Sequence, residues 1–229
     1  MRKGILCLAA VALLAVFSTG CTPDVVITAP ESIEIELGST DADVLKDVTA
    51  SSKDEVTVTG VNYDHAGEQT ATFAAGDATL DKVVHVKTTK LAGTYEFTWS
   101  IDGQADPTVY DSDIQQSTTV YNKILISDII DGNVSAVCTG TNFTIEETSL
   151  EADGGVTGTL TGTGTFVKDG TNYKIATASI TIAWSDNVTN EIEVTFTKRK
   201  IINLFIQYKR LSNQSLFFMY ASYFMSFYV

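Results

Sequence analysis

From Val156 to Phe166 every odd position is threonine and every even position is Val, Gly, Leu or Phe. A period of two fits a β-strand with one face on a core and one in water, and a helix cannot satisfy it. The same period recurs along the chain. Ile33, Ile35 and Leu37 alternate with Glu34 and Glu36, and Val56 and Val58 with Thr57 and Thr59. Val84 and Val86 flank His85, while Tyr95, Phe97, Trp99 and Ile101 share one face opposite Thr94, Glu96 and Thr98. Ile180, Ile182 and Trp184 share a face, as do Ile192, Val194 and Phe196. Turn signals intervene at Gly38-Ser39, from Asn62 to Gly67 and at Gly76-Asp77, and no 3.6-residue period lasts ten residues. Residues 22–197 therefore read as all-β. Gly158, Gly162 and Gly164 lie on an apolar face, where a missing side chain admits a bulky neighbour or lets the strand bend to close a barrel.

The two ends are different. Met1-Arg2-Lys3 precedes an uncharged apolar run over residues 5–17, then Ser18-Thr19-Gly20 and Cys21. This is the layout of a secretory signal, and the run is too short to prefer spanning a bilayer, which takes about 20 residues. Residues 1–20 are assigned to the signal. Gly20-Cys21 resembles the lipobox of bacterial lipoproteins, in which the cysteine is lipidated and becomes the mature N-terminus; Ser18 stands where that motif usually has Leu. The alternative is ordinary signal cleavage beside an incidental cysteine. Two or more acyl chains would anchor the chain stably.

Residues 198–229 form an atypical tail. It holds five basic residues, no acidic one and no glycine, and nine Phe or Tyr fall in 201–229. Residues 22–197 by contrast carry a net charge of −20. The preferred reading of the tail is a read-through, frameshifted or weakly selected extension. Its rivals are an interfacial helix, with Leu216–Val229 uncharged and Lys209 and Arg210 upstream, and docking onto the acidic body.

The whole chain has a net charge of −13, which argues against nucleic-acid binding. Two histidines and three cysteines leave little for zinc, haem or a disulfide framework, and no cofactor is expected. Cys138 shares parity with Val134 and Ala136 and reads as a small buried hydrophobe. His65 falls in a turn and His85 points away from Val84 and Val86. No nucleophile elbow, P-loop or zincin motif is present, no pair of carboxylates stands out, and the chain reads as non-enzymatic. Asp102, Asp106, Asp111 and Asp113 offer oxygen ligands without EF-hand spacing, so a solvated loop is preferred to a calcium site; Asp41, Asp43 and Asp47 read the same way. The threonine row is most simply a solvent-facing strand, with a flat ligand-binding face as the alternative.

Two resemblances organise the body. IEIELGSTDADVLKDVTASS followed by VTVTGVNYDHAGEQTATFAAGDATLDKVVHV resembles bacterial immunoglobulin-like domains, carried by the ELGS turn, the VTVTG strand, the Ala66-Gly67 turn and the closing VVHV strand. Phe73 stands in for that family's displaced aromatic. After the linker Lys87-Thr88-Thr89-Lys90, the opening Leu91-Ala92-Gly93-Thr94-Tyr95 is similar to that of lipocalin-like domains in secreted proteins of gut Bacteroidota, as are the later ISDIIDGN, FTIEE and GTGTFVKDG runs. The predicted organisation is an immunoglobulin-like sandwich over 21–89, then an antiparallel β-barrel or sandwich of about eight strands over 90–197.

The resemblances imply an outer-membrane lipoprotein on the periplasmic or cell-surface face, held through a lipid at Cys21 and possessing a domain for glycan or lipid, in a setting of glycan uptake. The rival is a structural or assembly protein with an envelope protein partner. Trp99, Trp184 and Tyr95 are the candidate ligand-binding residues. All lie on apolar faces, so core packing competes with stacking on a sugar or lining a lipid pocket. An apolar cavity beside the tryptophans would point to a lipid, and a filled interior to a protein partner.

Overall fold

A computed structural model describes residues 24–199, apart from 107, 130–131 and 152–154. The signal, Cys21 and residues 200–229 lie outside the described residues.

The first unit comprises β1 (Ile27–Thr28), β2 (Ile33–Glu36), the helix α1 (Asp41–Leu45), β3 (Thr49–Ala50), β4 (Thr57–Thr59), β5 (Gly67–Ala75) and β6 (Ala78–Lys87). β1 pairs with β3, and the other strands form a sheet in the order β2-β6-β5-β4 in which β2 runs parallel to β6. The inward positions expected from the alternation, Ile33, Ile35, Leu37, Val58, Val84 and Val86, are all buried, with Phe73 and Val44 of α1 among them. The helix was not legible as a period because it has five residues. It starts where the Thr40 N–H donates to Asp43 Oδ2 at 2.8 Å. Two small sheets and this helix are what the structure gives for the immunoglobulin-like expectation.

A single turn of 3-10 helix, Thr89–Leu91, leads to the second unit: β7 (Gly93–Ile101), β8 (Gln104–Ala105), β9 (Tyr110–Gln116), β10 (Lys123–Ile129), β11 (Gly132–Thr139), β12 (Asn142–Glu151), β13 (Thr157–Asp169), β14 (Asn172–Trp184) and β15 (Thr189–Lys198). β7 and β9 to β15 follow one another around an antiparallel meander, and β15 returns to β7 in a register running from Ile192↔Ile101 to Lys198↔Tyr95. Eight strands thus close into an up-and-down barrel, and β8 is a two-residue flap on β7. Closure leaves no free edge along these strands. Lys198, the first residue of the predicted tail, belongs to β15, and its ammonium donates to Lys90 O at 2.9 Å and Tyr173 O at 3.2 Å.

Period two decides what fills the barrel. Tyr95, Phe97, Ile124, Ile126, Phe143, Phe166 and Tyr173 point inward and are buried. The glycines on β13 fit these side chains: a Cβ on Gly164 would collide with the Phe143 ring, and one on Gly162 would sit 3.1 Å from Ile145 Cδ1. Cys138 is fully buried, as its parity predicts, and burial pushes its thiol up to about 12.

The first unit is docked on one end of the barrel. Ala66 and Gly140 exchange two backbone hydrogen bonds of 2.8 and 2.9 Å. Asp64 accepts from Lys168 Nζ at 2.8 Å and from the Tyr173 hydroxyl. His85 stacks on Tyr121, with ring centroids 4.2 Å apart. Within the expected linker Thr88 is wholly buried, and Leu91, which follows it, joins the core. The hydrophobic core runs continuously through both units. This junction end carries the β9–β10, β11–β12 and β13–β14 turns, while the β7–β9, β10–β11, β12–β13 and β14–β15 connections form the opposite, distal end. Val25 lies by the β5–β6 turn, 3.9 Å from a Cβ built on Gly76, at the end of β5 away from the Gly67 contact with the barrel.

Candidate functional site

At the distal end the aromatic filling of the barrel reaches its mouth. Rings run up its inner wall from Tyr95 to Phe196 (6.2 Å between centroids), Phe97 (5.7 Å), and then Trp99 and Tyr110, which are 5.9 and 5.4 Å from Phe97 and 5.0 Å from each other. The lower rings are buried; Trp99, Tyr110 and Trp184 are half-buried at the rim. They sit on inward parity, yet each is the last or nearly the last inward residue of its strand before the opening.

Polar groups fix the ring edges. Asp106 Oδ2 accepts from Trp99 Nε1 at 3.0 Å and from the Tyr110 hydroxyl at 2.8 Å, while its Oδ1 accepts from Thr108 N. The Trp99 indole and these other donors hold the Asp106 carboxyl well below the usual carboxylate range, and the Tyr110 hydroxyl is pushed up by the same carboxylate. Trp184 Nε1 donates to Asn190 Oδ1 at 2.8 Å, and Asn190 Nδ2 donates to Asp102 Oδ2 at 3.0 Å. Asp102 also accepts from the Glu191 N–H at 2.9 Å, which with Asn190 lowers its carboxyl. With the N–H edges committed in this way, the half-buried indoles have the exposed part of their ring surface left for a ligand.

Trp184 also borders a cleft of about 450 Å³ over the ends of β12, β13 and β14, shared with Leu150, Glu151, Ser149, Thr157 and Ser185. Beyond the rim, Val109 and Val188 are 58% and 48% exposed, an apolar fringe on the same end.

The structure therefore brings Trp99 and Trp184 to one rim and places Tyr95 elsewhere. Tyr95 is fully buried near the junction end, its hydroxyl donating to Leu91 O at 2.7 Å and accepting from Ile175 N at 3.3 Å. It is a packing residue that ties the barrel to the turn feeding it. Sequence reasoning missed Tyr110 and Asn190. Tyr110 shares parity with Ile114, but Ser112 between them breaks the apolar row; Ser112 is buried because its hydroxyl donates to Ser127 O at 2.7 Å. The carboxylates weighed as a calcium loop are dispersed to separate partners: Asp102 and Asp106 to the rim, Asp111 to Arg199 at 2.6 Å and Asp113 to Thr94 at 2.8 Å. The threonine row lies on the outer wall, where Thr165 and Thr177 hydroxyls meet at 3.0 Å.

Fold and site together define a closed eight-stranded up-and-down β-barrel, capped at one end by a small β unit and opening at the other through an aromatic mouth. No protein-family model, curated protein or solved structure matches the chain.

Proposed function

We propose that the chain is a non-enzymatic, lipid-anchored envelope protein that presents the barrel mouth to a glycan, in the setting of glycan uptake at the outer membrane. The observation that carries the glycan reading is the pair of half-buried tryptophans with hydrogen-bonded carboxylate and amide groups at their edges. Sugars are bound by aromatic faces against their C–H surfaces and by acceptors for their hydroxyls. A lipid ligand is disfavoured, because Phe97, Phe143 and Phe166 occupy the space an acyl chain would need. The placement of the mouth agrees with an anchor at Cys21: that cysteine precedes Val25 by four residues, and Val25 lies at the far end of the first unit. A docked first unit would then hold the mouth away from the membrane.

The test is binding of the mature Cys21→Ser chain to a glycan array, with Trp99→Ala and Trp184→Ala as controls. A glycan bound by the parent and lost in both variants, with reduced acrylamide quenching of the tryptophans on binding, supports the reading; equal binding by all three chains removes it. The anchor has its own test. Cys21→Ser should shift the protein from the detergent to the aqueous phase, and an unchanged partition with the same intact mass would refute lipidation.

The filled interior also favours the rival reading, a protein partner seated on the mouth, for which the exposed Val109 and Val188 would supply apolar contacts.

A further inference from the structure

The described basic residues of the barrel are confined to one end, while its carboxylates occur at both. Its basic residues in the described part of the chain are Lys123, Lys168, Lys174, Lys198 and Arg199, and every one sits where its strand meets the junction end. The distal strand ends and connections carry Asp102, Asp106, Asp128, Glu151 and Asp186, and the connecting sequences contain neither Lys nor Arg. Asp102 and Asp106 are held on the rim by the hydrogen bonds to Asn190, Glu191, Trp99 and Tyr110. Glu151 and Trp184 both line the distal cleft.

Any ligand stacked on Trp184 therefore enters a site whose fixed charges among the described residues are of one sign. The screening length at physiological salt is about 8 Å, so a group in the cleft stays within the field of Glu151. A carboxylate or sulfate brought there would lose water and gain no described cation, and an unpaired charge taken from water is strongly disfavoured. A sugar hydroxyl fares differently. It is a donor, the rim is rich in acceptors, and a hydrogen bond to an ionised acceptor is stronger than one between neutral groups. An ammonium on an amino sugar would gain directly.

We infer that the barrel mouth selects uncharged or amino-bearing sugars and turns away acidic ones, an inference that rests on the glycan reading above and narrows it to a substrate class. The same field would favour a basic protein surface, which the test must separate from a sugar.

The experiment uses the mature full chain with Cys21→Ser. An array of neutral, amino and acidic glycans identifies the strongest binder, which is then titrated beside the same glycan after partial carboxymethylation, with polylysine as a basic polypeptide probe. The expected result is a neutral or amino binder, weakened about tenfold or more by carboxymethylation at low salt, with the gap shrinking as salt rises. Glu151→Gln should narrow the ratio between the two forms. If the carboxymethylated glycan binds as tightly as its parent, or if the strongest binder is acidic and is lost in Trp184→Ala, the charge selection is wrong while the glycan reading stands. If no glycan binds, or polylysine alone does, the glycan reading falls and the selection falls with it.

Discussion

Gly158 and Trp184 are direct cross-strand partners on β13 and β14, and the indole occupies the space in which any other residue at 158 would place its Cβ. That atom would lie 2.6 Å from Cε3 and 2.9 Å from Cζ3. The glycine is thus a seat for the ring that borders the distal cleft, and the pairing turns a sequence regularity into a positioned aromatic face.

Gly158→Ala should displace the indole. Overpacking of this kind costs about 1–3 kcal/mol, at the lower end here because a ring at the mouth has somewhere to go. Denaturant unfolding should show a lowered midpoint with an unchanged slope, and Trp emission should move to the red. Gly164→Ala should be worse, because its Cβ would meet both the buried Phe143 ring and the Thr177 carbonyl at 2.5 Å, and backbone cannot swing aside. Equal stability of the two variants would refute the distinction.

The junction should weaken in acid. Lys168 and the Tyr173 hydroxyl hold the Asp64 carboxyl below its ordinary 3.8, so the folded state prefers the ionised form. The contribution is then fully present above pH 3.8 and is lost as pH falls through the lower, folded-state value. Thermal unfolding followed from neutral pH into this range should show a loss in the wild type that Asp64→Asn lacks. Tyr173→Phe, which removes the donor and keeps the ring, should cost about 1 kcal/mol at neutral pH.

Cys138 should be inert until the barrel opens. Its thiol, pushed up to about 12 by burial, is almost wholly protonated at pH 8, and the thiolate is the reactive form. In the mature Cys21→Ser chain iodoacetamide should label it only at the rate of unfolding, and rapid labelling of native protein would contradict the packing. Cys138→Ser should destabilise by about 1–3 kcal/mol, because a hydroxyl there loses water in an apolar setting.

At the distal end non-glycine residues take the left-handed region: Asp102 at φ 48° and Asn187 at φ 68° in turns, and Asp128 at φ 57° at the irregular end of β10. The junction turns use Gly140 and Gly170 at φ 63° and 64°. Asn187→Gly should therefore stabilise by up to about 1 kcal/mol, seen as a raised melting temperature. Asp102→Gly should not, since the side chain accepts from Asn190 and Glu191, and its loss should loosen Trp184 through Asn190.

Several features of the site were within reach of the sequence and several were not. The parity of Trp99 and Trp184 put them on the inner wall, and the glycines at 158, 162 and 164 announced bulky neighbours. Tyr95 has the same parity as Trp99 and cannot be told from it by pattern. Position along the strand separates them: four residues of β7 carry the wall from a buried ring tied to Leu91 to a half-buried one at the opening. The Asp loop was visible as carboxylates, but its hydrogen bonds to Trp99 and Tyr110 depend on β8 folding back along β7, which pairs only Ser100 with Ala105 and Ile101 with Gln104.

What the sequence determined by itself is the strand character of most of the described body, the helix Asp41–Leu45 apart, and the face most strand side chains take. A period of two is a local property, fixed by pleat and propensity within a few residues. What the tertiary structure decided is register, closure and docking: that β15 returns to β7, that the described basic residues of the barrel gather at one end, and that Thr88, in the stretch expected as a linker, is buried. Those depend on pairings made across long separations, such as Asp64 with Tyr173 and Lys90 with Lys198. A shift of two residues in any one strand would keep every face correct and still move a different ring to the mouth, so only the closed set of pairings could choose Trp99, Tyr110 and Trp184.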